Sequence, residues 1–421
     1  MEKFIGFVGV FVLVAFAYFL STNRQNINWK TVTVGLLLQW ILAILILGVP
    51  LIGLPGLLTP LFSAANDLVM NIISYSDAGA AFLFGPLMNV DKIGGLVIGL
   101  KILPTIIFFS TLMAVLYHLG LLQKVVYWMA LAMHKTLKIS GAESLSAAAN
   151  VFVGQTEAPL IIRPYLKKMT ESEIMSVMTS GMATVAGGVL AAYVAMLSGL
   201  IPNIAGHLLT ASVMSAPAAL IIAKILVPET KTPETLGKVE VTSEKNSVNL
   251  VGAAADGAFE GTKLAINVGG MLIAFIALVA LINGLLGWVG NVTTLNDLLQ
   301  EKLTLELILG WLFSPIAFLM GITLDNCVYV GQLLGKKVVL NEFVAYLDLS
   351  ENGAKLSERS AIIASYALCG FANFSSIAIQ IGGIGGLEPT KTPTLARFGI
   401  LSLIGGTLAA CMTGAIVGVL I

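Results

Sequence analysis

The stretch NVFVGQTEAPLIIRP, Asn150 to Pro164, decides how this chain must be folded. It places Gly154, Gln155, Thr156, Glu157 and Pro159 inside a very apolar chain. Of 421 residues, 57% are hydrophobic and 11% charged, and the mean hydropathy is +0.93. A soluble domain carries about a quarter charged residues, so this is a polytopic membrane protein. At membrane depth, non-helical backbone survives only where it is buried in protein or lines a wet cavity. Gly154 permits a turn there. Pro159 suits the first turn of a returning half-helix, where its missing N–H is not needed. Gln155, Thr156 and Glu157 then stand at a half-helix N-terminus, whose dipole favours acceptors and anions.

Working outward, apolar runs long enough to cross about 30 Å of hydrocarbon are 3–20, 31–49, 95–119, 174–199, 204–227, 264–288, 359–382 and 398–420, eight in all. Met1 to Leu20 lacks the basic start and small-residue cleavage site of a leader, and is read as a retained first span. Segment 56–90, interrupted by Asn66, Asp67, Asn71 and Asp77, is expected to be an interfacial or partly buried helix, and 122–140 a helix at the interface. Pro228 to Asn249 has the composition of a flexible linker and divides the chain into similar halves.

The positive-inside rule groups Arg24, Lys30, Lys124, Lys135, Lys138, Arg163, Lys167, Lys168, Lys224, Lys231, Lys238, Lys245, Lys391 and Arg397 on the cytoplasmic side. That holds for eight spans with both termini outside, provided 142–166 is a re-entrant hairpin entered from inside. The same count makes 304–335 a hairpin entered from outside, with Lys336 and Lys337 as the exception. The halves echo one another: MTESEIMSVMTSGMATVAGG (169–188) and LSERSAIIASYALCGFANFSS (356–376) each run from Ser-Glu to Gly-x-Ala and a polar residue. The fold expected is therefore all-α, with eight transmembrane helices, two oppositely oriented re-entrant hairpins in inverted repeats, and interfacial helices. Inverted repeats with broken helices and a midplane site belong to secondary transporters.

Glu157 carries the most weight, because an ionisable group inside the membrane costs about 2.5–3.5 kcal/mol on insertion scales and marks a functional site by default. Its bland alternative is to cap its own helix or pair with Arg163. Asn341-Glu342 in GKKVVLNEFVAY (335–346) reads as a second polar cluster or as an interfacial helix start. Asn373 and Ser376 share a helix face, which alone is most often helix–helix hydrogen bonding. Two carboxylates, two amides and two hydroxyls suit a neutral, polyhydroxylated ligand with an amide-like edge better than an anion. Gln155 offers a donor and an acceptor to a nucleobase edge; Glu342, Asn373 and Ser376 suit vicinal hydroxyls. GGIGG (382–386) lacks the lysine and strand of a phosphate loop. Cys327, Cys369 and Cys411 show no metal spacing, His118, His134 and His207 are scattered, and the net charge of zero suggests no nucleic-acid partner.

SAAANVFVGQTEAPLIIRPYL (146–166), GKKVVLNEFVAY (335–346) and ALCGFANFSSIAI (367–379) resemble the motifs of the concentrative nucleoside transporter family, and the resemblance runs over essentially the whole chain. It implies a homotrimer in a bacterial cytoplasmic membrane. A scaffold of spans 1–3 (1–121) and span 6 (264–300) would carry an elevator-like transport domain, formed by 122–227 and 301–421 and joined by a cytoplasmic linker and interfacial helix (228–263). It implies that Gln155, Thr156 and Glu157 face the base of a pyrimidine or purine nucleoside such as uridine, with Gly154, Val189 and Leu264 around it. Glu342, Asn373 and Ser376 would face the ribose and Phe371 the edge of the site. In the sodium-coupled branch, Na+ ligands come from the side chains at Asn150 and Thr184 and the carbonyls of Val153 and Val185. The resemblance thus implies Na+-coupled nucleoside symport, with no cofactor beyond the coupling ion. A proton-coupled symporter, a passive channel and an intramembrane hydrolase using Glu157 and Glu342 are the rival readings.

Overall fold

The computed structural model describes residues 1–50, 53–88, 98–239 and 247–421. Positions 51–52, the end of the 56–90 segment at 89–90, the start of the third expected span at 95–97, and linker residues 240–246 with Lys245 lie outside the described residues. Among the described residues every regular element is helical, apart from one isolated bridge between Val49 and Leu54. Five helices come first: α1 (Glu2–Phe19), α2 (Trp29–Leu47), α3 (Thr59–Phe84), α4 (Ile98–His118) and α5 (Leu121–Leu137). A hairpin follows, formed by α6 (Gly141–Ala149) and two single turns, α7 (Ala158–Ile161) and α8 (Arg163–Leu166). Next come α9 (Glu171–Ala183), α10 (Gly187–Leu197) and α11 (Ile204–Leu226). The 43-residue α12 (Leu250–Val292) and the short α13 (Leu295–Leu299) lead into α14 (Leu305–Leu319), α15 (Leu324–Val339), α16 (Glu342–Asn352), α17 (Glu358–Leu368), α18 (Phe374–Leu387) and α19 (Thr392–Leu420).

Eight helices among the described residues are long and apolar enough to cross a membrane. The number matches the expectation but the membership differs. Segment 359–382 is not one continuous helix: it breaks after Leu368, and α18 resumes only at Phe374. Thr59–Met88 enters the set instead. Its anchors lie at one end of the bundle: Thr59 Oγ1 donates to the Ile46 carbonyl at the end of α2 (2.6 Å), and Asn66 Oδ1 accepts from Ala205 N at the start of α11 (3.2 Å). The expected fourth span, 174–199, is likewise divided, at Thr184–Ala186.

The expected hairpin bounds, 304–335, are not those observed: the chain does bend by 117° at 320–323 between α14 and α15, but α14 is a lead helix and the hairpin arms are α15 and α16. A further reversal follows at Leu340–Asn341. It folds α16 back on α15, with Lys336 Nζ 2.7 Å from Asp348 Oδ2 and Lys355 Nζ 3.8 Å from the centroid of the Tyr329 ring. This α15–α16 tip, not the one at 320–323, presents Glu342. With it the repeats fall into register: lead helix, hairpin, broken helix, long helix, in α5–α11 and again in α14–α19.

The caps explain how helices can end inside the fold, since each helix start leaves N–H groups without intrahelical partners. Ser140 with Glu143, and Thr170 with Glu173, form capping boxes for α6 and α9. Asn341 caps α16 through Val344 N, and Asn373 caps α18 through Ser376 N.

Two sets of ties define two faces. On one, Thr22 N and Oγ1 donate to the Leu226 carbonyl (2.9 and 3.1 Å), Thr31 Oγ1 to Leu137 O (3.3 Å), Gly141 N to Thr235 O (3.0 Å) and Lys391 Nζ to Met169 O (2.7 Å). These ties join the loops carrying Arg24, Lys30, Lys138, Lys168, Lys224 and Lys391, together with the base of the first hairpin. On the other face the termini meet: Lys3 Nζ donates to Leu420 O (3.4 Å), and Arg359 reaches Glu2 (3.2 Å) and the carbonyls of Gly321 and Gly418 (2.6 Å each). The base of the second hairpin lies on this side, where Gly353 packs against Leu200. Lys336 and Lys337 are not loop charges at all. Lys336 is half-buried between Asp348 and Glu306, and Lys337 is fully buried with its Nζ on the Ala367 carbonyl at 2.9 Å.

Candidate substrate site

The two broken helices cross where each is broken. Gly370 has φ +134, and a Cβ there would stand 2.7 Å from Met182 O and 2.8 Å from the Ala183 carbonyl carbon. Only glycine lets the two main chains approach this closely. Phe371 N then donates to Thr184 O at 3.3 Å. The repeated Gly-x-Ala-polar words, Gly181–Thr184 and Gly370–Asn373, are therefore the two breaks, packed on one another.

Each hairpin tip seats against this crossing. At the first, Gly187 N donates to Phe152 O (2.9 Å) and Ser212 Oγ to Val151 O (3.2 Å). Gln155 reaches across to α18, donating from Nε2 to Ser376 Oγ at 2.9 Å and accepting at Oε1 from Gln380 Nε2 at 3.0 Å. At the second tip, the buried Glu342 accepts from Tyr193 Oη on α10 (2.8 Å) and from Asn373 Nδ2 (3.1 Å). Asn373 Oδ1 in turn accepts from Ser376 N at 2.9 Å. One continuous hydrogen-bonded chain results: Gln380, Gln155, Ser376, Asn373, Glu342, Tyr193. It joins both tips and both breaks.

Of the expected site residues, Gln155, Glu342, Asn373 and Ser376 belong to this chain. Thr156 and Glu157 lie exposed on the first tip. Glu157 Oε2 accepts from Gly154 N at 3.2 Å, so the carboxylate closes its own turn, and no ion pair to Arg163 forms. Thr156 faces Gly383, where a Cβ would stand 3.1 Å from its Cγ2. Val189 is buried on α10, Phe371 is half-buried at the second break and Leu264 half-buried on α12. Ser376 is not free for a ligand alone, since its oxygen already accepts from Gln155. Tyr193 and Gln380 were missed because each sits in an apolar helix where a single polar tip looks like core.

The unwound segments also leave particular oxygens open. At the first tip the carbonyls of Val151, Phe152 and Gly154 all accept hydrogen bonds, and at the first break so do those of Thr184 and Ala186. Among the described residues no hydrogen bond ends on Val153 O or Val185 O. Asn150 Nδ2 donates to Ser146 O at 3.0 Å, while its buried Oδ1 has no partner. Thr184 Oγ1 donates to Ser180 O at 2.8 Å, which leaves its lone pairs available. No group of three or more His, Cys, Asp or Glu stands together among the described residues, so an ion held here would rest on neutral oxygens.

The helix α4 packs against both α10 and α12. Cβ atoms at Gly257 and Gly261 of α12 would meet α4 at Ala114 (2.7 Å) and Ile107 (2.8 Å), the close approach that small residues allow. Gly188 of α10 lies on the same helix, 2.9 Å from Ser110 Oγ by the same measure, and Gly187 abuts Met113.

Three family models tile the chain: the N-terminal region of Na+ dependent nucleoside transporters over residues 8–87, nucleoside recognition (Gate) over 99–200, and the C-terminal region of Na+ dependent nucleoside transporters over 207–418. An uncharacterized transporter of Haemophilus influenzae is 45% identical over 421 residues, covering 98% of this chain and 97% of that one. Human solute carrier family 28 member 3 is 39% identical over 435 residues, covering 100% of this chain and 60% of the human protein. The structure of CNTnw in an inward-facing substrate-bound state matches with a TM-score of 0.88, and an outward-facing state of a substituted CNTnw with 0.91. Each is 42% identical and covers 100% of this chain and 98% of the other. These relatives are transporters, and the hydrolase reading falls with them. The broken helices, the paired tips and the end-to-end matches place the chain in the concentrative, Na+-dependent nucleoside transporter family.

Proposed function

We propose that the chain carries nucleosides inward together with Na+, by symport. The observation that carries this is the hydrogen-bonded chain from Gln155 to Glu342. It sets an amide at one tip and a carboxylate at the other, 187 positions apart in sequence, on one continuous polar seam. Gln155, Thr156 and Glu157 suit a base, with Gly154, Val189 and Leu264 around it. Glu342, Asn373 and Ser376 suit ribose hydroxyls, with Phe371 at the edge. A carboxylate has room for about four hydrogen bonds, and Tyr193 and Asn373 use two of those on Glu342.

Asn150 Oδ1, Thr184 Oγ1 and the carbonyls of Val153 and Val185 are assigned to Na+, a cation suited to neutral oxygens at unwound helix ends. The orphaned Asn150 Oδ1 supports this, since a buried acceptor left without a partner costs free energy. Bound Na+ would hold the Gly154 turn in the shape that presents Gln155, so each solute favours the other's binding, as coupled transport requires. Hairpin bases on opposite faces, and glycine-lined contacts of α10 and α12 on α4, support an elevator. In it, the transport domain of 122–227 and 301–421 moves against a scaffold of 1–121 and 264–300. The assembly proposed is a homotrimer in a bacterial cytoplasmic membrane, with the face carrying the linked lysines inside and both termini outside.

The test is uptake of radiolabelled nucleoside into proteoliposomes under a Na+ gradient, a proton gradient, or neither. Accumulation above the outside concentration only with Na+ is expected. Accumulation driven by pH and indifferent to Na+ would overturn the coupling, and mere equilibration would make the protein a passive pathway.

A further inference from the structure

We propose that Gln380 is a positioning residue for base recognition, which sets the direction in which the Gln155 amide is presented. The proposal rests on the assignment of Gln155 to the base. Gln380 is fully buried on α18, and its Nε2 donates to the main-chain carbonyl of Met178 at 3.0 Å and to Gln155 Oε1 at 3.0 Å. A carbonyl can only accept, so the nitrogen of Gln380 must face Met178. Its other N–H then points at Gln155, which must answer with its oxygen. The Gln155 nitrogen is thereby turned to Ser376 Oγ, 2.9 Å away.

Ser376 could not impose this order by itself, because a hydroxyl donates or accepts with equal ease. Only the link through Gln380 to a fixed carbonyl distinguishes the two ends of the amide. Gln155 keeps one N–H and one oxygen lone pair for a ligand, in a set order along the seam. A base edge that runs carbonyl then ring N–H matches one order. An edge that runs amino then bare ring nitrogen matches the reverse.

Two further features fit this role. Gly181 clears the space for the paired amides: a Cβ there would stand 2.8 Å from Gln380 Nε2 and 2.9 Å from Gln155 Cβ. Gln380 Oε1 is buried without a partner. A residue kept only to fill space would not bring an unsatisfied acceptor into the core.

The experiment is competition uptake in proteoliposomes with two matched pairs, uridine against cytidine and inosine against adenosine. Within each pair the size is the same and the edge polarity is exchanged. For the pair that the parent separates better, Gln380→Met, which keeps the volume and removes the donors, should bring the ratio toward unity by roughly two- to tenfold, the worth of one hydrogen bond. The ratio of ribose to deoxyribose nucleoside should stay as in the parent. Gly181→Ala wedges the same two amides apart from another helix while improving helix propensity, and should have the same effect even where Gln380→Met folds poorly. An unchanged base ratio in well-folded variants overturns the proposal, as does a parent that separates neither pair. Gln155→Ala tells the two failures apart. If it flattens the ratio while the other variants do not, the base assignment stands and the positioning role falls; if it too leaves the ratio intact, both fall.

Discussion

Glu342→Gln is the sharpest perturbation of the proposed ribose subsite. Glu342 accepts from Tyr193 Oη at 2.8 Å and from Asn373 Nδ2 at 3.1 Å, and it is almost fully buried. An amide of the same shape has one oxygen and one nitrogen. The oxygen must face Asn373, whose Nδ2 only donates, so the nitrogen turns to Tyr193, whose hydroxyl can rotate to accept. The fold therefore tolerates the change, but one of the two oxygens offered to sugar hydroxyls becomes a donor. Hydrogen bonds to a charged group are worth about 1.5–3 kcal/mol, which is roughly tenfold to a hundredfold in affinity. Competition uptake with a ribonucleoside and its 2′- and 3′-deoxy analogues measures it. The parent should bind the analogue lacking the relevant hydroxyl less well, and the variant should barely distinguish the two. A lowered melting temperature with an unchanged ribose-to-deoxyribose ratio would make Glu342 a structural carboxylate and remove it from the site.

Three further outcomes follow from the same geometry. Asn150→Ala and Thr184→Ala should each weaken the Na+ dependence of uptake and raise the apparent substrate constant at fixed Na+, with melting temperature near that of the parent; an unaltered Na+ titration would refute the ion assignment. Gln155→Ala and Glu157→Ala should each cost about 1–3 kcal/mol of nucleoside affinity, with smaller losses for base analogues that lack the matching polar atom. Equal losses for every analogue would instead indicate a role in holding the tip, which the Gly154–Glu157 bond makes the specific rival for Glu157. Gly370→Ala should lower stability by about 2–5 kcal/mol, combining an unfavourable φ with overpacking, because its Cβ would press on Met182 O at 2.7 Å. Thermal melting in detergent checks this, and an unshifted transition would mean the two breaks do not press together.

Much of this was legible in the sequence because the bilayer forbids unexplained polarity. Gly154 to Pro159 had to be an irregular turn, held in protein or facing a wet cavity, and the lysines and arginines gathered on one face set the count of crossings. The second hairpin was less legible. Its tip is only Leu340 and Asn341, shorter than the first, and Lys336 and Lys337 beside it look like loop charges until their partners are seen. Asp348, Glu306 and the Ala367 carbonyl lie far from them in sequence or beyond the turn, so hydropathy cut the segment at 335. Gln380 left a fainter trace. Asn373, Ser376 and Gln380 are spaced three and four apart, which puts all three on one helix face, yet one amide among Ile377, Ile379 and Ile381 reads as core.

The crossing itself explains why polar residues had to appear in pairs from distant parts of the chain. Two helices broken at the same depth expose main-chain donors and acceptors that lipid cannot satisfy. Thr184 O is met by Phe371 N, Phe152 O by Gly187 N, and the starts of α16 and α18 by Asn341 and Asn373. Most of the freed backbone groups are thus used up by the other repeat or by the hairpin tips. Among the described residues, the groups left open around the tips and breaks include the carbonyls of Val153 and Val185, Asn150 Oδ1, Gln380 Oε1, one N–H and one lone pair of Gln155, and the outer lone pairs of Glu342. On the proposed assignment, an oxygen-seeking monovalent cation and a neutral ligand bearing an amide-like edge and hydroxyls would complete these contacts, the cation's charge offsetting that of the buried Glu342 carboxylate. Under that proposal, transport specificity and the stability of the crossing rest on the same groups, so a substitution in the seam must be read by ratios between ligands and not by loss of uptake alone.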